Sequence, residues 1–556
     1  MSGDRLIYLP LGGAGEVGMN AYVYGYGPKG RERLILVDLG VTFPDMDGSP
    51  GVDLILPDIA WLEERKDRLE AIFITHAHED HVGALGHLWA RLGAPVFARD
   101  FTARIAARKM MEAGQPVEEI ETVGLAPEAV SAGPFEVQFL PVSHSLPEAS
   151  ALVIDSPAGR VVHTGDFKLD LAPGVGEPFD EALFEGLGQK GVKVLVCDST
   201  NVFSPHSGRS ESSLPAAMQS LIGQAPGMVV ATTFASNVAR LRTLAQAARE
   251  CGRSVCLLGR AMQTMVRTAT EAGLLHDFPP TISPEEAGDI PRENLMLIVT
   301  GSQGERRAAS AQLARGNYMG LSLKEGDLFL FSSMTIPGNE RGVLRIVNQL
   351  AERGIDVVDN TTGAYHVSGH ANRPDLERMH ELLRPRMVVP MHGEHRHLRE
   401  HAKLAAARGS ATAIAPNGTM LDLTGDAPQP AEQVETGRLY LDGGAIYGAL
   451  DGVVRERIRM ALNGLVLVTL LIDEEGEPLG DPWADCQGLP KRGRSGRELA
   501  EAIEAELAGE LGRTGRKVMA DDDKLIEVMK RRVRQACVDE IGKKPEVVVV
   551  VSRLAD

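Results

Sequence analysis

Thr75-His76-Ala77-His78-Glu79-Asp80-His81 follows directly on the apolar run Ala71-Ile72-Phe73-Ile74. The run reads as a buried strand, so potential metal ligands stand where a strand gives way to a loop. Side chains two residues apart on extended backbone point the same way, and His76 and His78 can therefore grip one ion together. Asp80 and His81, past the strand end, can turn toward a second ion about 3.5–4 Å away, the spacing of two-metal sites. Three His and one Asp within six residues are too dense for a chance surface loop and imply a metal-dependent hydrolase.

Working outward, the same arrangement recurs, an apolar strand with a polar residue at its C-terminal end. Residues 135–142 lead to His144, 160–163 to Asp166, 194–197 to Asp198, and 387–391 to His392. Helical patterns at 82–92 and 102–113 intervene. Strands alternating with helices predict an α/β layered fold with its site along one sheet edge. Toward the N-terminus, Gly13-Ala14-Gly15-Glu16-Val17-Gly18 imitates a dinucleotide fingerprint, with Asp38 20 residues beyond Gly18. That fingerprint needs a helix after the glycines. Here residues 20–28 alternate and end in a turn, which predicts a β-hairpin instead. Asp38 closes the strand 34–37.

After Asn201 a second unit begins, with a helix over 213–224 and a series of βα units. These are 228–233 with a helix from Asn237, 254–258 with a helix from Ala261, 295–300 and 327–331. Their strands end in small polar loops whose backbone N–H groups suit phosphates. The chain then returns to histidines at His366-Val367-Ser368-Gly369-His370 and 384–395, so the second unit reads as an insertion. The expected boundaries are 1–205 and 373–448 for the outer domain, 206–372 for the insertion, 449–460 for a linker, and 461–556 for a small α+β domain. In that tail, 453–459, 465–472 and 546–551 read as strands, and 498–511 and 524–541 as helices. Its basic runs, 491–497 and 530–534, fit either a solvated face or contact with RNA or a partner.

The totals set bounds. A chain of 556 residues suggests two to four domains. No apolar run reaches the roughly 20 residues that cross a bilayer, and the opening residues, Met1 and Ser2 included, carry no signal-peptide core. Five cysteines without CxxC spacing argue for a reducing cytoplasm and against a Cys-ligated zinc site. A net charge of −18 argues against general polyanion binding, so any nucleic-acid contact must be local.

The candidate ligands are His76, His78, Asp80, His81, His144, Asp166 and His392. Imidazole and carboxylate together suit two zinc ions, with Mn2+ or Mg2+ as alternatives in activity. Asp166 can bridge the ions, and a water between them becomes a nucleophile near neutral pH. Asp38 is expected to orient a ligand imidazole through its N–H.

In order, Asp38, His76-x-His78-x-Asp80-His81, His144 and Asp166 resemble the four motifs of the metallo-β-lactamase superfamily. Asp198, His370 and His392 resemble those of its β-CASP nucleases. More narrowly, five phrases are similar to the bacterial ribonuclease J family. They are the stretches 11–18 and 163–168, Phe234-Ala235-Ser236-Asn237, Thr300-Gly301-Ser302-Gln303-Gly304-Glu305 and Pro390-Met391-His392-Gly393-Glu394. The likeness implies a metallo-β-lactamase αββα sandwich with an inserted doubly wound β-CASP domain and a small α+β C-terminal domain.

It further implies a zinc-dependent 5′-to-3′ exoribonuclease on single-stranded 5′-monophosphorylated RNA that also cuts internally, in mRNA decay and rRNA maturation. Asp80 would hold or deprotonate the attacking water. His370, oriented by Asp198, would bind the scissile phosphate or protonate the leaving oxygen. A 5′-monophosphate pocket would map onto Ala235, Ser236 and Asn237 with His366, Val367, Ser368, Gly369 and His370. Arg306, Arg307, Arg315, Arg384 and Arg396 are candidates to line the RNA cleft. A structural cation such as Ca2+ is implied at Asp442, with backbone near Pro50 and Val52. Homodimers or homotetramers and RNA-decay or ribosome-associated partners are implied as well. Competing readings are a small-molecule metallohydrolase, a non-catalytic RNA-binding or scaffold subunit, and a DNA-directed β-CASP nuclease.

Overall fold

A computed structural model describes residues 3–45, 47–336 and 338–554; Met1, Ser2 and Met46 (in the 44–51 loop) lie outside the described residues. The chain divides into two compact units, one of residues 1–42 and 56–438 and one of 43–55 and 439–556.

The first unit contains two facing sheets. An eight-stranded sheet carries Arg5–Gly12, Ala21–Gly27, Arg33–Val37 and Leu69–Phe73 in neighbouring positions. A seven-stranded sheet orders Met387–Met391, Val194–Asp198, Gly159–His163, Ser150–Ser156 and Phe135–Pro141 side by side. One buried cluster draws Tyr8, Tyr24, Val37 and Phe73 from the first sheet and Phe139, Ile154, Val196 and Val389 from the second. Alternate residues of the seven-stranded sheet point the other way, where Val162, Leu195, Cys197 and Val388 pack with Met379, Leu383 and Ala405 from helices. This is the αββα sandwich, and its strands alternate faces because successive side chains on a strand do.

Parallel register sets up the site. Val161 pairs with Val194, and Val194 with Met387, so three strands end abreast. Asp166, Asp198 and His392 therefore emerge from neighbouring C-terminal ends, where ligand crevices of α/β sheets lie.

The insertion forms its own six-stranded sheet, in the order Thr281–Ile282, Ser254–Leu258, Leu295–Val299, Val229–Thr232, Leu328–Phe331, Asp356–Val358. Every pairing in it is parallel. Val230 and Leu297 pack on one face, Val229 and Met296 on the other, with helices over both. The sheet is doubly wound. The predicted hairpin also forms, with Arg5–Gly12 antiparallel to Ala21–Gly27. Gly13, Gly15 and Gly18 all take positive φ in the turn between them, which is a backbone reason for glycine without any nucleotide.

In the second unit, Leu465–Ile472 runs between antiparallel Trp483–Gln487 and parallel Glu546–Arg553. Helices Leu499–Leu511 and Asp522–Ile541 cover one face through Ile503, Leu507, Met529 and Val533. Four expectations need correction. Residues 453–459 are not a strand, because Val453–Asn463 is a helix bounded by Gly452 and Gly464. That helix also fills much of the span 449–460 expected as linker. Residues 82–92 do not form one helix; Glu79–Val82 and Leu85–Leu92 are separate, joined at Gly83-Ala84. A Cβ on Gly83 would stand 2.8 Å from Val41. Finally, residues 43–55 group with the C-terminal unit rather than with the domain they interrupt. No helix among the described residues is long and apolar enough to cross a membrane.

Candidate metal centre

The strand Leu69–Phe73 delivers Thr75–His78, and the short helix Glu79–Val82 turns His81 inward. Two donor sets result. His76, His78, His144 and Asp166 form one, and Asp80, His81, Asp166 and His392 the other, each with ligating atoms within 4.8 Å of one another. In the first, His78 Nδ1 lies 3.1 Å from His76 Nε2 and 3.0 Å from His144 Nε2. In the second, Asp80 Oδ2 lies 3.6 Å from His81 Nε2 and 3.4 Å from His392 Nε2. Asp166 belongs to both, with Oδ2 3.2 Å from His81 Nε2 and 3.8 Å from His76 Nε2. All seven candidate ligands are thus brought together.

The donor chemistry fits divalent ions of the zinc type. Burial first, then the neighbouring imidazoles, holds His76 and His144 well below the ordinary histidine range, and burial brings His78 down to about 4. Neutral imidazoles are what a metal requires. In the second set burial opposes protonation, but the Asp166 and Asp80 carboxylates outweigh it, pushing His392 up to about 10 and His81 well above its usual range. Those protons balance carboxylate charge that an ion would otherwise balance. His392 Nε2 is buried without a hydrogen-bond partner, an orphan nitrogen aimed into the donor set. His392 also takes φ 49°, a strained backbone that aims its ring inward from the strand end.

Residues outside the ligand sets fix this geometry. Asp38 is fully buried and accepts from Thr75 N at 2.7 Å and from His81 Nδ1 at 2.8 Å, leaving His81 Nε2 for the centre. His144 donates through Nδ1 to the Gly369 carbonyl at 2.6 Å. Sequence reasoning missed Asn20. Its amide reaches Asp80 O at 3.0 Å and His81 Nε2 at 2.9 Å, while Tyr22 donates to its Oδ1 at 2.7 Å. The available signal was a polar residue opening an otherwise apolar strand. Gly40 was missed too; a Cβ there would strike the Asp80 carbonyl at 1.7 Å.

Beside the ligands, His370 donates through Nδ1 to Asp198 Oδ2 at 2.9 Å. Burial disfavours its charged form, but Asp198 and Asp166 raise its pKa above the ordinary value. Asp198 is held by Thr200 N at 2.9 Å and Thr200 Oγ1 at 2.7 Å. Asn201 secures the returning loop, with Nδ2 2.8 Å from Ser368 Oγ and 3.3 Å from His370 O.

The residues expected in a phosphate pocket divide. Ala235 and Ser236 precede Asn237, whose Oδ1 accepts from Arg240 N at 2.9 Å and caps the helix Val238–Glu250. Helix N-termini favour phosphate. Arg240, fully buried, donates to His366 Nδ1 at 3.2 Å and to Ser332 O at 2.9 Å, and pairs with Glu211. Burial and then Arg240 bring His366 down to about 3, so it stays neutral. The Val367 side chain does not face a ligand; it is buried in the core with Val229 and Leu241.

Other expectations fail on geometry. Arg384 precedes the strand Met387–Met391 while His392 follows it, so Arg384 sits at the opposite sheet edge, 3.9 Å from Glu185. Asp442 is not an open cation site. Arg457 Nη2 pairs with its carboxylate and Arg457 Nη1 lies 3.4 Å from Pro50 O, so a guanidinium fills the place expected for calcium. Arg396 lies over the exposed ring of Phe203, 5.6 Å from its centroid.

Matches to known families cover most of the chain. The metallo-beta-lactamase superfamily matches residues 14–212 and the ribonuclease J beta-CASP domain 226–350. The RNA specificity domain of Zn-dependent metallo-hydrolases matches 361–416, and the ribonuclease J C-terminal domain 452–554. A ribonuclease J of Sinorhizobium meliloti is 41% identical over 99% of this chain and 98% of the relative. The chain belongs to the ribonuclease J family. Other ribonuclease J relatives are 36% identical in Corynebacterium glutamicum, over 90% of this chain and 70% of the relative, and 34% in Thermus thermophilus, over 85% and 83%. A solved structure, titled as a protein of unknown function from Enterococcus faecalis V583, shares the fold. It has a TM-score of 0.50 and 17% identity and covers 75% of this chain and 100% of that one. As a ribonuclease J family member the chain is a metal-dependent nuclease of the hydrolase class.

Proposed function

We propose that this RNA nuclease degrades single-stranded RNA from a 5′-monophosphorylated end in the 5′-to-3′ direction and also cuts internally. The observation that carries the reading is Asp166 shared between two donor sets, with the Asp198–His370 pair beside them. Two zinc-type ions would be held by His76, His78, His144 and Asp166, and by Asp80, His81, His392 and Asp166. When bound, such ions supply an activated water and neutralise phosphate charge.

The chain's own groups do the rest. Asp80, on the open side of the second set, positions the attacking water and takes its proton. His370, oriented by Asp198, meets the scissile phosphate and can pass a proton to the leaving oxygen. Asp38, Asn20 and Gly369 are positioning residues that aim His81, Asp80 and His144. Ser236 at the helix N-terminus, with His366, Ser368 and His370, would receive the 5′-monophosphate. Phe203 under Arg396 offers a platform on which a base can stack. The reading extends to cytoplasmic mRNA decay and rRNA maturation, as a homodimer or homotetramer with RNA-decay or ribosome-associated partners.

The test is substitution at the centre. Asp80→Ala and His81→Ala are expected to abolish cleavage of labelled RNA in metal-replete buffer while circular dichroism stays native. Undiminished cleavage by either would sink the mechanism.

A further inference from the structure

Behind the nuclease centre, on the helix-covered face of the seven-stranded sheet, Cys197, His380 and His401 converge and are all buried. One ligating atom from each lies within 4.8 Å of the others. The two imidazoles meet through their Nε2 atoms at 3.1 Å. Two imidazoles on one tetrahedral zinc, at zinc–nitrogen distances of about 2.0–2.1 Å, hold their nitrogens about 3.3 Å apart. The spacing matches that seen inside the nuclease centre, where His78 Nδ1 and His144 Nε2 are 3.0 Å apart.

The surroundings prepare His401 as a ligand. Ser199 donates its hydroxyl hydrogen to Cys197 O at 3.3 Å and lies 2.9 Å from His401 Nδ1. With its hydrogen so directed, Ser199 accepts Nδ1–H, and the Nε2 lone pair of His401 is left facing His380. Metal-bound histidines fix their tautomer in this way, by giving the other N–H to a neighbouring acceptor. His380 Nδ1 is buried without a partner. Burial, reinforced by Arg408, brings His380 down to about 4, so its ring is neutral. His380 also lines a cavity of about 520 Å³ with Leu382, Pro385, Arg408 and Ser410.

We propose that Cys197 Sγ, His380 Nε2 and His401 Nε2 bind a structural metal ion of the zinc type, with a water completing the tetrahedron. Binding expels the Cys197 thiol proton to solvent and forms a metal–thiolate bond. The placement gives the ion a purpose. Cys197 precedes Asp198 on the strand Val194–Asp198, His380 lies on the helix that follows His370, and His401 lies on the helix that follows His392. One ion would therefore tie together the three elements that present those residues. The binding itself does not depend on which nucleic acid the nuclease centre cleaves.

Cobalt(II) substitution tests it, because the nuclease centre has no cysteine and only a thiolate ligand gives a sulfur-to-cobalt charge-transfer band. Full-length, cobalt-loaded protein should show that band. Cys197→Ser should lose it along with one equivalent of cobalt, and His380→Gln and His401→Gln should weaken it several-fold. Asp80→Ala should keep it. A cobalt-loaded wild type without the band overturns the proposal before any variant is made. A band that persists at full strength in Cys197→Ser, or in both histidine variants, overturns it equally.

Discussion

His144 directs Nδ1 at the carbonyl oxygen of Gly369 from 2.6 Å, so a ligand from one part of the sandwich is oriented by the loop that carries His370. The contact is close because position 369 has no side chain. A Cβ there would stand 2.8 Å from His144 Cε1. Gly369→Ala is expected to turn the imidazole and to cost about 10–100-fold in metal affinity and activity. Zinc titration alongside an RNA assay checks this, and unchanged zinc affinity would contradict it.

Asn20→Ala removes the amide that donates to Asp80 O and so holds the loop carrying Asp80 and His81. Activity should fall by about 10–100-fold, with native circular dichroism. Wild-type kinetics in this variant would show that Asp38 and Gly40 suffice to hold the loop.

His366 gives a pH prediction. Burial and Arg240 bring its folded pKa down to about 3, whereas an unfolded histidine titrates near 6.5. Between those values the unfolded chain binds the extra proton, so this residue's contribution falls as pH drops below about 6.5. The loss is about 1.4 kcal/mol per pH unit, or about 2 kcal/mol by pH 5. His366→Gln should therefore narrow its stability gap to wild type by that amount between pH 7 and pH 5. A gap that stays constant in urea titrations at the two pH values would contradict the assignment.

Arg457 bridges the Asp442 carboxylate and the Pro50 carbonyl. Calcium should accordingly leave the Tm of the wild type unchanged. A rise of several degrees with millimolar calcium would mean that the ion displaces the guanidinium.

The ligand sets were legible because each ligand lies at the end of an apolar strand, and parallel strands end together. Asp38, His76, His78, Asp80 and His81 fall within one strand–loop pair, so local spacing was enough. What was not legible depends on distant partners. Nothing near Asp442 in sequence announces that Arg457 will reach it. The helix Val453–Asn463 opens on two valines, which favour a strand until the helical periodicity of the following residues is weighed. Asn20 looked like part of a hairpin, and it is; its contacts with Asp80 come from packing between segments 60 residues apart. Residues 43–55 join the C-terminal unit through pairings such as Asp53 N to Leu441 O at 2.9 Å, which no local pattern encodes.

The central claim is a nuclease that reads a 5′-monophosphate and proceeds 5′-to-3′. The most direct measurement follows one RNA labelled separately at each end and bearing a 5′-monophosphate, 5′-triphosphate or 5′-hydroxyl, digested by wild type and His370→Ala. The account predicts early release of a labelled mononucleotide from the monophosphorylated 5′ end, much slower attack on the triphosphate, and loss of both in His370→Ala. Equal rates on all three ends, release first from the 3′ end, or full activity in His370→Ala would contradict it.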